Sequence, residues 1–155
     1  MYRKILIAHN GTSESAAALH ECIRLAPGPS AEIHLLVVMN PPPTIMGGEY
    51  AAAALLSIEE EMAEATKKMG RELSKGHALL ATAGLNVINH LEVGEPIDVI
   101  SKLAHQLSIE LVIVGHSRHR SWAMRWWRGS TNALLIEKLQ CSLLVATAEQ
   151  YLSHK

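Results

Sequence analysis

The chain has 155 residues, of which 48% are hydrophobic and 19% charged, and its net charge is −1 with the histidines neutral. That length and apolar content suit one domain over residues 1–155 with a real core, globular rather than disordered. A charge near zero offers no overall field for nucleic acid or an anionic membrane.

The opening Met1-Tyr2-Arg3-Lys4 is basic, but the apolar run after it, Ile5 to Ala8, is too short for a signal-peptide core. No run elsewhere is long enough to span a bilayer. The two cysteines, Cys22 and Cys141, stand far apart in apolar settings and read as buried free thiols, so a cytoplasmic protein is expected.

Strand-like and helix-like segments alternate along the chain. Arg3 to Ala8 is a β-type run ending at His9-Asn10-Gly11, and Thr12 or Ser13 can cap a helix with Ala16, Leu19, Cys22 and Ile23 on its apolar face. Pro27-Gly28-Pro29 stops that helix, and Ile33 to Met39 reads as a strand buried on both faces. After a loop from Asn40 to Gly48, an apolar stripe runs through Leu55, Ile58, Met62, Ala65, Met69, Leu73, Gly76 and Leu80 in helical steps, as for core or helix packing rather than a membrane surface. Gly84 ends it, and Val87 to Val93 is the third strand. Pro96 suits the first turn of a helix carrying Ile97, Ile100, Leu103, Ala104 and Leu107. Leu111 to Val114 is the fourth strand, Thr131 to Leu139 the last helix, and Leu143 to Ala146 the fifth strand.

Such an order predicts an α/β fold: an open five-stranded parallel sheet, helices on both faces, Rossmann-like, for which the common strand order 3-2-1-4-5 is expected. In that order strands one and four are neighbours. Their outgoing loops, His9-Asn10-Gly11-Thr12 and Gly115-His116-Ser117-Arg118, then face one crevice at the carboxyl rim, where ligands of open α/β sheets bind. The Gly129-Ser130-Thr131 helix start can close on the same crevice. Its free N–H groups and the positive end of the helix dipole suit a phosphate.

Four segments, KILIAHNGTSESAAAL, VGEPIDVI, VIVGHS and RGSTNALLIEKLQCSLLVA, resemble the universal stress proteins, and the resemblance covers essentially the whole chain. It implies the same five-stranded fold, a homodimer and, in one branch, ATP bound through a pattern of Gly, two residues, Gly, nine residues, then Gly with Ser or Thr. This chain keeps Gly115 and Gly129-Ser130. It carries Arg118 for the second glycine and ten residues, His119 to Arg128, before Gly129. Asn10 stands where such ATP binders carry an aspartate that helps hold a metal ion, which puts magnesium in question. By the resemblance, Ala8, His9 and Asn10 lie on the ribose and base side of an adenine nucleotide (ATP or AMP), and Val38 packs on adenine. Gly115 gives the phosphates backbone room, beside His116, and Arg118 offers a cation. Gly129, Ser130 and Thr131 donate hydrogens.

Other readings stay open. Gly115 can be a simple strand-to-loop turn and Ser130 or Thr131 a plain helix cap, leaving a stress protein that works through protein contacts alone. His9, His116 and His119 have a metal-like arrangement, but no cysteine or carboxylate joins them in those loops. His34 reads as a satisfied core residue. Trp122, Trp126 and Trp127, interleaved with Arg118, Arg120, Arg125 and Arg128, could stack single-stranded nucleic acid. A hydrophobic lid or partner contact is the stronger reading, since the chain has no wider basic surface. Ser13, Ser117 and Ser130 lack a nucleophile elbow, so binding or sensing is expected rather than catalysis. Strand five, at an edge, is expected to pair with a second copy.

Overall fold

A computed structural model describes residues 1–42, 47–48, 50–116 and 135–147. Its elements in chain order are β1 (Lys4–His9), α1 (Ser13–Leu25), β2 (Glu32–Met39), α2 (Ala51–Thr82), β3 (Asn86–Val93), α3 (Pro96–Gln106), β4 (Leu111–His116) and β5 (Ser142–Thr147). A helical turn at residues 135–138 precedes β5; the rest of the expected last helix lies outside the described residues. The strands form one parallel sheet in the order β3-β2-β1-β4-β5, the common order expected for such a sheet.

The three inner strands are apolar without interruption because each is covered on both faces. Ile5, Leu6, Ile7, Leu35, Leu36, Val37, Val112 and Ile113 are at most 1% exposed. Alternation along each strand divides them between two cores. Ile5, Ile7, Ile33, Leu35, Val37 and Ile113 pack against Ala18, Leu19 and Cys22 of α1 and Leu73 and Leu80 of α2. Leu6, Ala8, Leu36, Val112 and Val114 pack against Ile100, Leu103 and Ala104 of α3 and against Leu135.

Two expectations shift. The buried face of α1 runs through Ser15, Ala18, Leu19 and Cys22, three- and four-residue steps that leave Ala16 half-buried. The apolar stripe of α2 meets the core only in its second half, at Leu73, Gly76 and Leu80, while Leu55 is 52% exposed. Length explains this: 32 helical residues span about 48 Å, whereas an eight-residue strand spans about 26 Å. Because α2 links the carboxyl end of β2 to the amino end of β3, its first turns overhang the carboxyl rim.

Both cysteines are free thiols, Cys22 buried and Cys141 half-buried. Burial pushes the Cys22 thiol up to about 12 and raises Cys141 as well, so neither is a ready nucleophile. No helix among the described residues is long and apolar enough to cross a membrane.

Candidate functional site: the crevice between β1 and β4

β1 pairs with β2 as far as His9 with Val37, and β4 with β5 as far as His116 with Thr147. The ladder between β1 and β4 stops earlier, at Ile7 with Ile113, although both strands continue. The two central strands therefore part at the carboxyl rim, where the strand order reverses. That opening is the place in this fold class where a ligand enters.

Ala8, 3% exposed, and Val38, half-buried at the end of β2, share the α3 face of the sheet with Val114. They give the crevice a small, apolar floor. Asn10 leaves β1 in a side-chain turn: its Oδ1 accepts hydrogen bonds from the Thr12 backbone N–H at 3.1 Å and the Thr12 hydroxyl at 2.7 Å. Thr12 in turn caps α1, its hydroxyl oxygen accepting from the Ser15 N–H at 3.2 Å. The amide of Asn10 thus sets the start of the helix that follows.

His9 faces the other way. One residue on from Ala8, its side chain enters the α1–α2 face, where it is 5% exposed, with Nδ1 3.0 Å from the Ser15 hydroxyl. Burial lowers the imidazole's pKa, and this outweighs the raising influence of the Glu72 carboxylate and of hydrogen bonds to Ser15 and the Glu72 backbone. Gly76 of α2 lies just above; a Cβ there would come within 3.1 Å of Leu35 and 3.4 Å of the imidazole. His9 brings its backbone, not its ring, to the rim.

Gly115 is held by packing. A Cβ on it would lie 1.9 Å from the carbonyl oxygen of Glu14, so only glycine lets the end of β4 pass under the first turn of α1. Gly11, at φ 83°, sits against Glu72 in the same crowded corner. His116 is the last residue of β4. Arg118, Gly129, Ser130 and Thr131, the expected phosphate end, lie outside the described residues, as do His119 and the tryptophan cluster.

The structure thus gathers Ala8, Asn10 and Val38 at one rim and sends the side chain of His9 elsewhere. Ser15, Glu72 and Gly76 were not anticipated. Ser15 had a signal, since it begins the 15-18-19-22 spacing of buried α1 residues; Glu72 and Gly76 reach this corner only through packing of α2. A second histidine contact also emerges. Nδ1 of His34 lies 2.9 Å from Nε2 of His90 on the neighbouring strand. Burial lowers the pKa of both rings. Nε2 of His34 has no hydrogen bond and stands 3.5 Å from Glu32, so that ring is satisfied on one side only, not fully as expected.

An open parallel sheet with a splayed rim at its switch point defines the doubly wound α/β class that takes ligands at strand ends. Within it, the universal stress protein family profile matches residues 1–147, and the chain belongs to that family. Solved structures agree on the fold. Hypothetical protein MJ0577 is similar at 21% identity, with a TM-score of 0.76, over 95% of this chain and 96% of that one. A universal stress protein in complex with cAMP is 18% identical, TM-score 0.62, over 95% and 98%. A universal stress protein family protein from Arabidopsis thaliana with AMP bound is 16% identical, TM-score 0.63, over 93% and 90%. Among curated proteins none matches.

Proposed function

We propose that this universal stress protein binds an adenine nucleotide, ATP or AMP, in the crevice between β1 and β4, and acts by binding or sensing rather than by turnover. The observation that carries the proposal is the early end of the β1–β4 ladder, which leaves the strand ends beyond Ile7 and Ile113 unpaired with each other at the switch point, on the face that holds Ala8 and Val38. The base packs on Val38, the ribose lies over the backbone of Ala8, His9 and Asn10, and the phosphates run from Gly115 and His116, with Arg118, Gly129, Ser130 and Thr131 as their further partners by the family pattern. AMP and cAMP in two proteins of like fold support the choice of adenine. Because Asn10 carries no charge and its Oδ1 is taken by Thr12, binding does not depend on magnesium. Cytoplasmic location and a homodimer paired along β5 belong to the same reading; β5 is the sheet's edge, with Val145 38% exposed.

Calorimetry with ATP, AMP and cyclic AMP, with and without magnesium, tests this. Heat is expected from at least one ligand without the metal. Val38→Ser should lower that affinity about tenfold, or about 1.4 kcal/mol, with no loss of fold by circular dichroism. Silence from all three ligands overturns the proposal. A specific observation then favours action through protein contacts alone: Gly115 and Asn10 both have sufficient structural roles in seating α1.

A further inference from the structure

The overhanging part of α2 bears large apolar side chains with nothing over them: Tyr50 is 82% exposed just before the helix, Leu55 52% and Leu56 63%. At 100° per residue, Leu56, Glu60, Ala63, Lys67 and Gly70 share one stripe along a flank of the helix turned away from the core residues Leu73, Gly76 and Leu80, with Gly70 half-buried at its inner margin. Gly70 is unexplained by the fold. Its φ is not positive, and a Cβ added to it would meet no atom within 4 Å. Yet glycine inside a helix costs about 1 kcal/mol relative to alanine, so close approach of something from outside is a physical reason to keep it.

The charges on this surface say what that something is. The first half of α2 is acidic, with Glu59, Glu60, Glu61 and Glu64; the second half is basic, with Lys67, Lys68, Arg71 and Lys75. Lys67 meets Glu64 at 3.8 Å and Lys75 meets Glu72 at 3.0 Å, while Glu59, Glu60, Lys68 and Arg71 form no ion pair among the described residues. A helix acidic at one end and basic at the other is complementary to itself when turned end for end.

We infer that α2 is a docking surface for α2 of a second copy of this chain, the two helices antiparallel about a two-fold axis at Ala63. In that register Leu56 of each copy enters the gap over Gly70 of the other, Glu60 meets Lys67, and the Ala63 residues face each other. Such a contact is isologous and closed. One helix pair buries no more than the low end of the usual range, about 1,200 Å², so association is concentration-dependent. α2 packs on β2 and β3, at the opposite side of the sheet from β5. The contact is therefore independent of β5 pairing and of nucleotide.

Sedimentation velocity of the full chain over a rising concentration series tests the contact. The wild type should show an association step that Leu56→Glu removes; Leu56 is exposed, so the fold should survive. Glu60→Lys alone and Lys67→Glu alone should each weaken that step at least tenfold, and the double exchange should restore it. Ala63→Cys should form a disulfide-linked dimer under mild oxidation. The inference is overturned if no such step exists, if it is indifferent to Leu56→Glu, or if the double exchange fails to rescue it. A β5 dimer would survive every one of these variants, so loss of one contact is not mistaken for loss of the other.

Discussion

At the carboxyl rim the two faces of the sheet are finished differently. The α1–α2 face is closed: His9 lies against Ser15, Gly11 against Glu72, and Gly115 against the first turn of α1. Among the described residues, the α3 face presents Ala8, Val38 and Val114 near the point where β1 and β4 part. Neighbours in sequence therefore do unlike work. Ala8 is floor, His9 is an anchor, and Asn10 sets a helix start, because successive strand residues point to opposite faces. The closed face gives the open one a fixed frame.

The largest test of that contrast is Gly115→Ala. With a Cβ 1.9 Å from a backbone oxygen, relief requires moving main chain rather than a side chain. A stability loss of about 3 kcal/mol or more is expected in denaturant unfolding, at the upper end of overpacking costs. Ser15→Ala comes next. The Ser15 hydroxyl donates to the Thr12 carbonyl at 2.9 Å and contacts His9 and the Asn10 amide, and all three lose it together. A loss of about 1–3 kcal/mol follows from stranding buried polar groups.

Acid should act on the same closed corner. The folded-state pKa of His9 lies below its ordinary 6.5, so between the two values the unfolded chain binds the extra proton. Stability from this group is complete above about pH 6.5, falls as the pH drops through that value, and levels off once the folded ring also protonates. His34 and His90 add slopes of the same sign. His9→Gln should flatten part of the acid limb of a stability–pH curve; an unchanged limb would remove His9 from the account. The smallest effect is expected from Asn10→Asp. The carboxylate keeps both bonds from Thr12 and adds negative charge before α1, worth about 0.3–1 kcal/mol in thermal unfolding. If the proposed adenine nucleotide binds, the added carboxylate should also make that binding respond to magnesium.

Much of this was legible in the sequence. Apolar runs of strand length, alternating with helical periodicity, sufficed for a parallel sheet covered on both faces by right-handed crossovers. The strand order is the common one for such sheets, although the same elements also fit the order 2-1-3-4-5. Adjacency of the carboxyl ends of β1 and β4, near Asn10 and Gly115, follows from the observed order. Thr12 as cap and Pro96 at a helix start were equally readable, since capping chemistry is local. What the sequence hid depends on contacts across the chain. Proximity of Glu72 to His9, the pairing of His34 with His90, and the backbone approach that fixes Gly115 join residues tens of positions apart.

The amphipathic stripe of α2 read as core or helix packing along its whole length, because periodicity reports which side of a helix is apolar but not how far the sheet beneath it extends. Local chemistry wrote the elements, their ends and their order. Only packing in three dimensions decided which face each rim residue occupies, which glycine is compulsory, and where a helix runs past the core it was patterned to cover.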